Sequence, residues 1–370
     1  MDFSLDAQQV ELRASAREFG KKLAQGAEER DRAHAFPVEA LAEVARRGWM
    51  GLGVPKEFGG LGLSTLTQCL VLEELARADV SLHVTVSVHS SLACNPIVRW
   101  GTPEQQRAYL PAMARGERLG AYALTEPGSG SDAAALKTTA RREGDGWRLD
   151  GSKLWITSGL SADVVLVFAR TDASMSKAKG ISAFLVDGST AGFTRGKPED
   201  KLGLRSSETV GLFFDNARLG AGQLLGELGK GFSYAMSTLD AGRIGIATQA
   251  VGIAQAAVDV VLAETSAGSQ AIEFRLADMA ARADAARLLV WRAAALKDAG
   301  QPHSTEASLA KLFASEAAGR NCRDALEVLG PAAYGRSVAE RLFRDARVTE
   351  IYEGTSEVQR LVSARGLRGG

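Results

Sequence analysis

The stretch VTEIYEGTSEVQR, residues 348–360, places Glu353 between a tyrosine and a glycine, with Thr355 and Ser356 close behind. Gly and Thr are poor helix-interior residues, and Thr and Ser favour caps and turns, so a helix is expected to stop and restart here. A carboxylate at such a break can cap the next helix or serve as a base aimed into a cleft. Other strings carry comparable potential. AYALTEPGSGSDAAALKT, residues 121–138, offers the hydroxyls of Thr125, Ser129 and Ser131, and its Gly128 and Gly130 free backbone amides to cradle an anion. KLWITSG, residues 153–159, sets Trp155 beside Thr157 and Ser158 at a strand end, where an indole could cover an aromatic cofactor face.

Each has a plain alternative. The Gly/Ser loop can be a capped connection, and Trp155 can be a core residue. Asp240 and Arg243 in STLDAGRIGIA stand one helical turn apart and read first as an i,i+3 surface pair of small value. His83 and His89 lie in apolar helical surroundings and read as packed histidines.

Those residues need elements to hold them, and the chain divides into three compositional zones. Residues 1–120 are read as an N-terminal helical domain, from DAQQVELRASAREFGKKLAQ to a largely buried TLTQCLVLEELARADVSLHVTVSVHSSLACNPIVRW, with GVPKEFGGLGLS as a loop between them. Residues 121–225 hold short β-prone runs parted by Gly, Asp and Ser, and predict a small antiparallel barrel or sandwich. Residues 226–370 return to long Ala- and Leu-rich helices and predict a bundle. The fold class is α+β with segregated layers.

Composition narrows the function. Among 370 residues, Lys+Arg and Asp+Glu each number 44, so no net field gathers nucleic acid or an anionic membrane. Three scattered cysteines and four dispersed histidines argue against a disulfide framework and a metal site. No signal peptide opens the chain and no run is read as reaching the length of a membrane span, so a cytoplasmic location is expected.

Taken in order, LTEPGSGSD, KLWITSG, KLGLRSSET and ERLFRDARVTEIYEGTSEVQR resemble the flavin-dependent acyl-CoA dehydrogenase family, over nearly the whole chain. EELARADVSLHVTVSVHSSL looks most like the short-chain, butyryl-type bacterial members. The resemblance implies N-terminal helices, a middle β-barrel and a C-terminal four-helix bundle, assembled as a dimer or tetramer. It also implies FAD, α,β-dehydrogenation of a short acyl-CoA to trans-2-enoyl-CoA as in fatty-acid β-oxidation, and electron-transferring flavoprotein as acceptor.

By the same resemblance Glu353 is the α-proton base, with burial raising its pKa. The thioester oxygen is expected to accept hydrogen bonds from the base's own amide and a flavin ribityl hydroxyl. Gly354 then allows close approach of the substrate. The other common location of the base corresponds here to Gly242, which cannot serve. Residue by residue, Tyr122, Leu124, Thr125 and Ser131 are expected to line flavin and thioester, and Trp155 and Thr157 to flank the flavin ring. Asp240 and Arg243 should touch the CoA portion, and Thr355 and Glu357 should reach the FAD adenosine.

Two strings depart from the family pattern. An Arg-x-x-Phe-Gly string is missing between the first two bundle helices, where the chain runs from Ala263–Ser266 to Gln270. A Gln-x-x-Gly-Gly-x-Gly string reads EVLGPAAYG, with Glu327, Pro331 and Ala333 substituted. Both serve the FAD pyrophosphate and adenine in the family, so their loss implies weakened FAD affinity or an altered dimer contact. The alternative function is a flavin-poor or flavin-free acyl-CoA-binding protein of the same fold, natural or loop-shortened by engineering.

Overall fold

The computed structural model describes residues 4–175, 177–266, 269–335 and 337–369. The chain opens on helix α1 (Ala7–Ala33), started by a reciprocal capping box between Asp6 and Gln9. Helices α2 (Val38–Arg46), α3 (Thr65–Ala78) and α4 (Val80–Ser87) follow. A π-helical turn over Val88–Cys94 leads into α5 (Asn95–Trp100), and α6 (Pro103–Ala114) closes the group. The Gly-rich loop after α2 holds only short 3-10 turns. Helix α3 is buried nearly all round, including two carboxylates, and their charges are matched from neighbouring helices. Glu73 is bonded by Arg13 and Arg287, and Glu74 by Arg13 and Arg17.

The middle of the chain forms strands β1 (Gly120–Ala123), β2 (Thr139–Glu143), β3 (Gly146–Thr157), β4 (Val164–Arg170), β5 (Ile181–Asp187), β6 (Phe193–Pro198), β7 (Thr209–Leu219) and β8 (Leu224–Leu225). Their order is β6-β7-β3-β2-β4-β5-β8, with β1 alongside β4. Pairing is antiparallel except that β1 runs parallel to β4 and β2 meets β4 in parallel at Thr139 and Arg170. The sheet is therefore mixed, where purely antiparallel pairing was expected. Strands β4 and β5 are buried along almost their whole length, as continuous apolar runs should be.

The C-terminal part comprises α7 (Gly231–Glu264), α8 (Gln270–Asp298), α9 (Ser304–Leu329), α10 (Val338–Ala346) and α11 (Ser356–Leu367). Its core is built mostly of alanines from α7, α8 and α9, with Val258, Met279, Val290 and Leu342 among them. Small side chains bring these helices close together. The sequence was expected to contain no run of membrane-span length; helix α7 corrects this, being long and apolar enough by length and composition. Its apolar window is 72% buried within the fold, which is the environment of a core helix.

Candidate active site

Glu353 lies where two helical segments fail to join. A 3-10 turn over Arg347–Glu350 runs out at Ile351, and α11 begins at Ser356. Between them Glu353 and Gly354 both take left-handed backbone conformations, φ 51° and 96°. For Gly354 this is free of steric penalty. For Glu353 it is strained by about 1–3 kcal/mol, the kind of strain that gathers at functional sites. The cap of α11 is Thr355, whose side chain accepts from the Val358 amide at 3.3 Å. Glu353 is therefore free of capping duty.

Its carboxylate points instead toward α7. Glu353 Oε2 is buried and finds no hydrogen-bond partner. Gly242 makes that placement possible, since a methyl group there would overlap Oε2 outright and touch Leu92 at 3.0 Å. Burial pushes the Glu353 carboxyl up to about 7, against the opposing pull of Lys311 and Arg243. An unpaired carboxylate with such a pKa can accept a proton near neutral pH.

Around it stand groups from four elements. Tyr122 on β1 packs its ring against Phe168 at 5.1 Å, and its buried hydroxyl also lacks a partner. Burial and the nearby Glu353 charge raise its phenol well above the ordinary range. Tyr352 bonds Gln249 of α7, anchoring the turn from below. From α9, fully buried Lys311 donates to the Gly354 carbonyl at 2.7 Å, and Gln359 of α11 donates to the same oxygen at 2.8 Å.

The Asp240–Arg243 pair is not a surface pair. Arg243 is buried, bonding Asp240 at 2.5 Å and Ser308 at 3.3 Å, and Ser304 also donates to Asp240. Burial lowers the guanidinium pKa, and Arg243 Nε is left without a partner. A buried cation with a spare donor is equipped to meet a polar ligand.

A second group sits on the sheet. The loop after β1 is held by Glu126, whose carboxylate accepts from the Lys137 and Thr138 amides and from buried Lys153 at 2.8 Å. Lys153 also reaches the Leu124 carbonyl at 3.1 Å, and Leu154 N–H donates to the Thr125 carbonyl. The backbone of Leu124 and Thr125 is thus tied to β3, where Trp155 and Thr157 reside. Trp155 is no core residue: it is 53% exposed and has φ 60°. An indole held outward in a left-handed conformation presents a flat apolar face to whatever docks there. Ser158 beside it keeps a buried hydroxyl with no partner. Ser131 is exposed on its loop, and nothing crowds Gly128 or Gly130. Glu357 is exposed in the first turn of α11, near Thr355.

These features fit a flavin nucleotide: an outward aromatic face, open glycine backbone, and hydroxyls without internal partners. The altered strings read differently in three dimensions. Glu327 is paired with Arg275 of α8 at 2.5 Å, so its negative charge is matched within the chain. Pro331 and Ala333 lie in a 3-10 turn that ends α9. In the shortened segment before α8, Ala267 and Gly268 lie outside the described residues.

His83 and His89 are both fully buried. His89 accepts from the Gly120 amide through Nδ1 and therefore donates to the Met113 carbonyl through Nε2. It fixes the start of β1, a packing role. Lys311, Gln359 and the Glu126–Lys153 pair escaped the sequence reading. Lys311 had one available signal, a lone cation on a helix face otherwise made of Ala307, Ser308, Ala314, Ser315 and Ala318.

The chain resembles known proteins along nearly its whole length. Family models for the acyl-CoA dehydrogenase N-terminal, middle and C-terminal domains match residues 6–117, 121–217 and 229–368. The chain is 49% identical to the mitochondrial short-chain specific acyl-CoA dehydrogenase of Bos taurus over 367 residues, covering 96% of this chain and 89% of that protein. Butyryl-CoA dehydrogenase from Megasphaera elsdenii superposes with a TM-score of 0.96 at 40% identity, covering 100% of both chains. A chain from a study of the electron transferring flavoprotein of Acidaminococcus fermentans and flavin-based electron bifurcation superposes with a TM-score of 0.97 at 42% identity, again over 100% of both.

Proposed function

The chain belongs to the acyl-CoA dehydrogenase family, oxidoreductases acting on CH–CH bonds, and from that premise we propose that it oxidises a short-chain acyl-CoA at the α,β position with Glu353 as base. The observation that carries this reading is the buried, unpartnered Oε2 of Glu353, set in the gap that Gly242 leaves. Members of the family are FAD-dependent, and bound FAD would supply the hydride acceptor for the β-hydrogen.

The chain's own residues do the rest. Glu353 takes the α-proton, and its raised pKa makes it basic enough while leaving it ionised above about pH 7. Charge that develops on the thioester oxygen is met by the Glu353 amide. Trp155 and Thr157 would flank the flavin ring, Tyr122, Leu124, Thr125 and Ser131 would shape its border with the thioester, and Thr355 and Glu357 would face the adenosine. Arg243, already oriented by Asp240, offers its spare donor to the CoA portion. The similarity to short-chain and butyryl-type relatives supports a short acyl group. Electron-transferring flavoprotein is the acceptor we propose, and a homo-oligomer the assembly.

The flavin-free alternative is not favoured. It rested on the two altered strings together, and of these the negative charge at Glu327 is matched by Arg275. Visible spectroscopy tests the reading. Purified protein should show a flavin band that bleaches anaerobically with butyryl-CoA, and Glu353→Gln should keep the band but lose the bleaching. Absence of a band in excess FAD would overturn the dehydrogenase assignment, and bleaching in Glu353→Gln would overturn the base.

A further inference from the structure

We infer that Lys311 is a positioning residue for the base: its ammonium pins the Gly354 carbonyl and places a positive charge behind the Glu353 carboxylate. The inference rests on Glu353 being the base. Lys311 is 0% exposed, and no carboxylate among the described residues lies within ion-pairing distance of it. Burying an ammonium without a carboxylate partner is expensive, and such groups persist where they do something specific. Its Nζ donates to the Gly354 carbonyl at 2.7 Å, one residue beyond Glu353.

That carbonyl also accepts from Gln359 Nε2 at 2.8 Å, and the same amide approaches the Glu353 carbonyl at 3.4 Å. Two donors from two helices thus fix the peptide that holds Glu353 at φ 51° and Gly354 at φ 96°. Release of that peptide lets Glu353 relax toward an ordinary backbone and swing its carboxylate out of the Gly242 gap.

The charge acts separately. The groups that face Glu353 are Lys311 on α9, Arg243 on α7 with its partner Asp240, Tyr122 on β1 and Tyr352 on the turn itself. Burial lowers Lys311 to about 8, with Arg243 adding to that and Glu353, Glu350 and Glu357 opposing it, so the ammonium carries its charge at neutral pH and below. Of these, Arg243 has its charge partly answered by Asp240. Lys311 forms no ion pair among the described residues, and of the carboxylates that act on it Glu353 pulls hardest, ahead of Glu350 and Glu357, so its field falls chiefly on the base. A neighbouring cation favours the ionised carboxylate.

The test is the pH profile of kcat with butyryl-CoA for FAD-loaded Lys311→Met, Lys311→Gln and Lys311→Arg, beside Glu353→Gln. Lys311→Met should lower kcat by about 10- to 100-fold with KM nearly unchanged. It should also move the acid limb of kcat upward by roughly one pH unit. Lys311→Gln, which keeps a donor but no charge, should show the same displaced limb with a smaller loss of kcat. It carries the test alone if the Met variant does not accumulate as holoenzyme. Lys311→Arg should restore the wild-type limb. A purely structural lysine would change melting temperature and FAD content but leave the acid limb in place, and that result overturns the inference. Turnover by Glu353→Gln would instead overturn the base assignment, so the two failures are told apart.

Discussion

Glu353→Gln should make the protein more stable, and only above a definite pH. The folded carboxyl titrates at about 7 against an ordinary 4.5. A gap of roughly 2.5 units at 1.36 kcal/mol each corresponds to up to about 3 kcal/mol. Because the pKa is raised, the folded state holds this proton more tightly than the unfolded chain does. Below about pH 4.5 both states carry the proton and the residue costs nothing extra. As pH climbs through 4.5 to 7 the unfolded chain loses its proton first, so stability falls, and above about 7 the full penalty remains. Gln stands in for the protonated carboxyl at every pH. Wild type and variant should therefore unfold alike near pH 4.5, diverge through pH 7, and differ at pH 8 by several degrees in melting temperature, with the variant higher. Thermal and urea unfolding of flavin-free protein at half-unit intervals between pH 4.5 and 8 reads this directly. A difference that stays flat with pH, or a wild type more stable at pH 8, would refute the argument that burial governs this carboxyl.

Three further outcomes follow from the same geometry. Gly242→Ala places a methyl group where Glu353 Oε2 sits. It should leave the fold intact but cut kcat by roughly 100-fold through displacement of the base, measurable by steady-state assay with butyryl-CoA. Lys153→Met leaves the buried Glu126 carboxylate without its cation and should cost about 3–5 kcal/mol, with much of it recovered in the Glu126→Gln/Lys153→Met double variant. A double-mutant cycle by urea unfolding checks this. Trp155→Ala removes an exposed side chain, so stability should change by less than about 0.5 kcal/mol. Flavin retention through dialysis should fall sharply, and unchanged retention would remove Trp155 from the flavin face.

The three zones and their element types were legible because each zone repeats one simple signal. Alanine- and leucine-rich runs of helical period mark the bundle, and short β-prone runs between Gly and Asp mark the sheet. Pairing direction was not legible. Strand β1 is four residues long, GAYA, and its parallel alignment with β4 depends on where the helices before it deliver the chain, with His89 gripping the Gly120 amide. Burial of polar residues was equally hidden. Asp240 and Arg243 have the spacing of a solvated helix pair, and the docking of α9, which brings in Ser304 and Ser308, buries Arg243 while Asp240 stays partly exposed. Trp155 failed in the opposite sense. Local pattern assigns a tryptophan in a strand to the core, whereas its positive φ turns the side chain outward.

The proposed base illustrates how a motif can mark a position without explaining it. EGTS at residues 353–356 marks the position, but what makes the carboxylate reactive lies in residues far along the chain. Gly242, 111 positions earlier, supplies by its missing side chain the space into which Oε2 projects. Lys311 and Gln359 hold the peptide that keeps Glu353 in a conformation it would otherwise leave. Thr355 takes over the capping of α11, a task an acidic residue at a helix start would ordinarily share. The glycine at 242 and the glutamate at 353 are therefore coupled: a side chain at 242 would enter the space that Glu353 Oε2 fills, and that space admits only one of them.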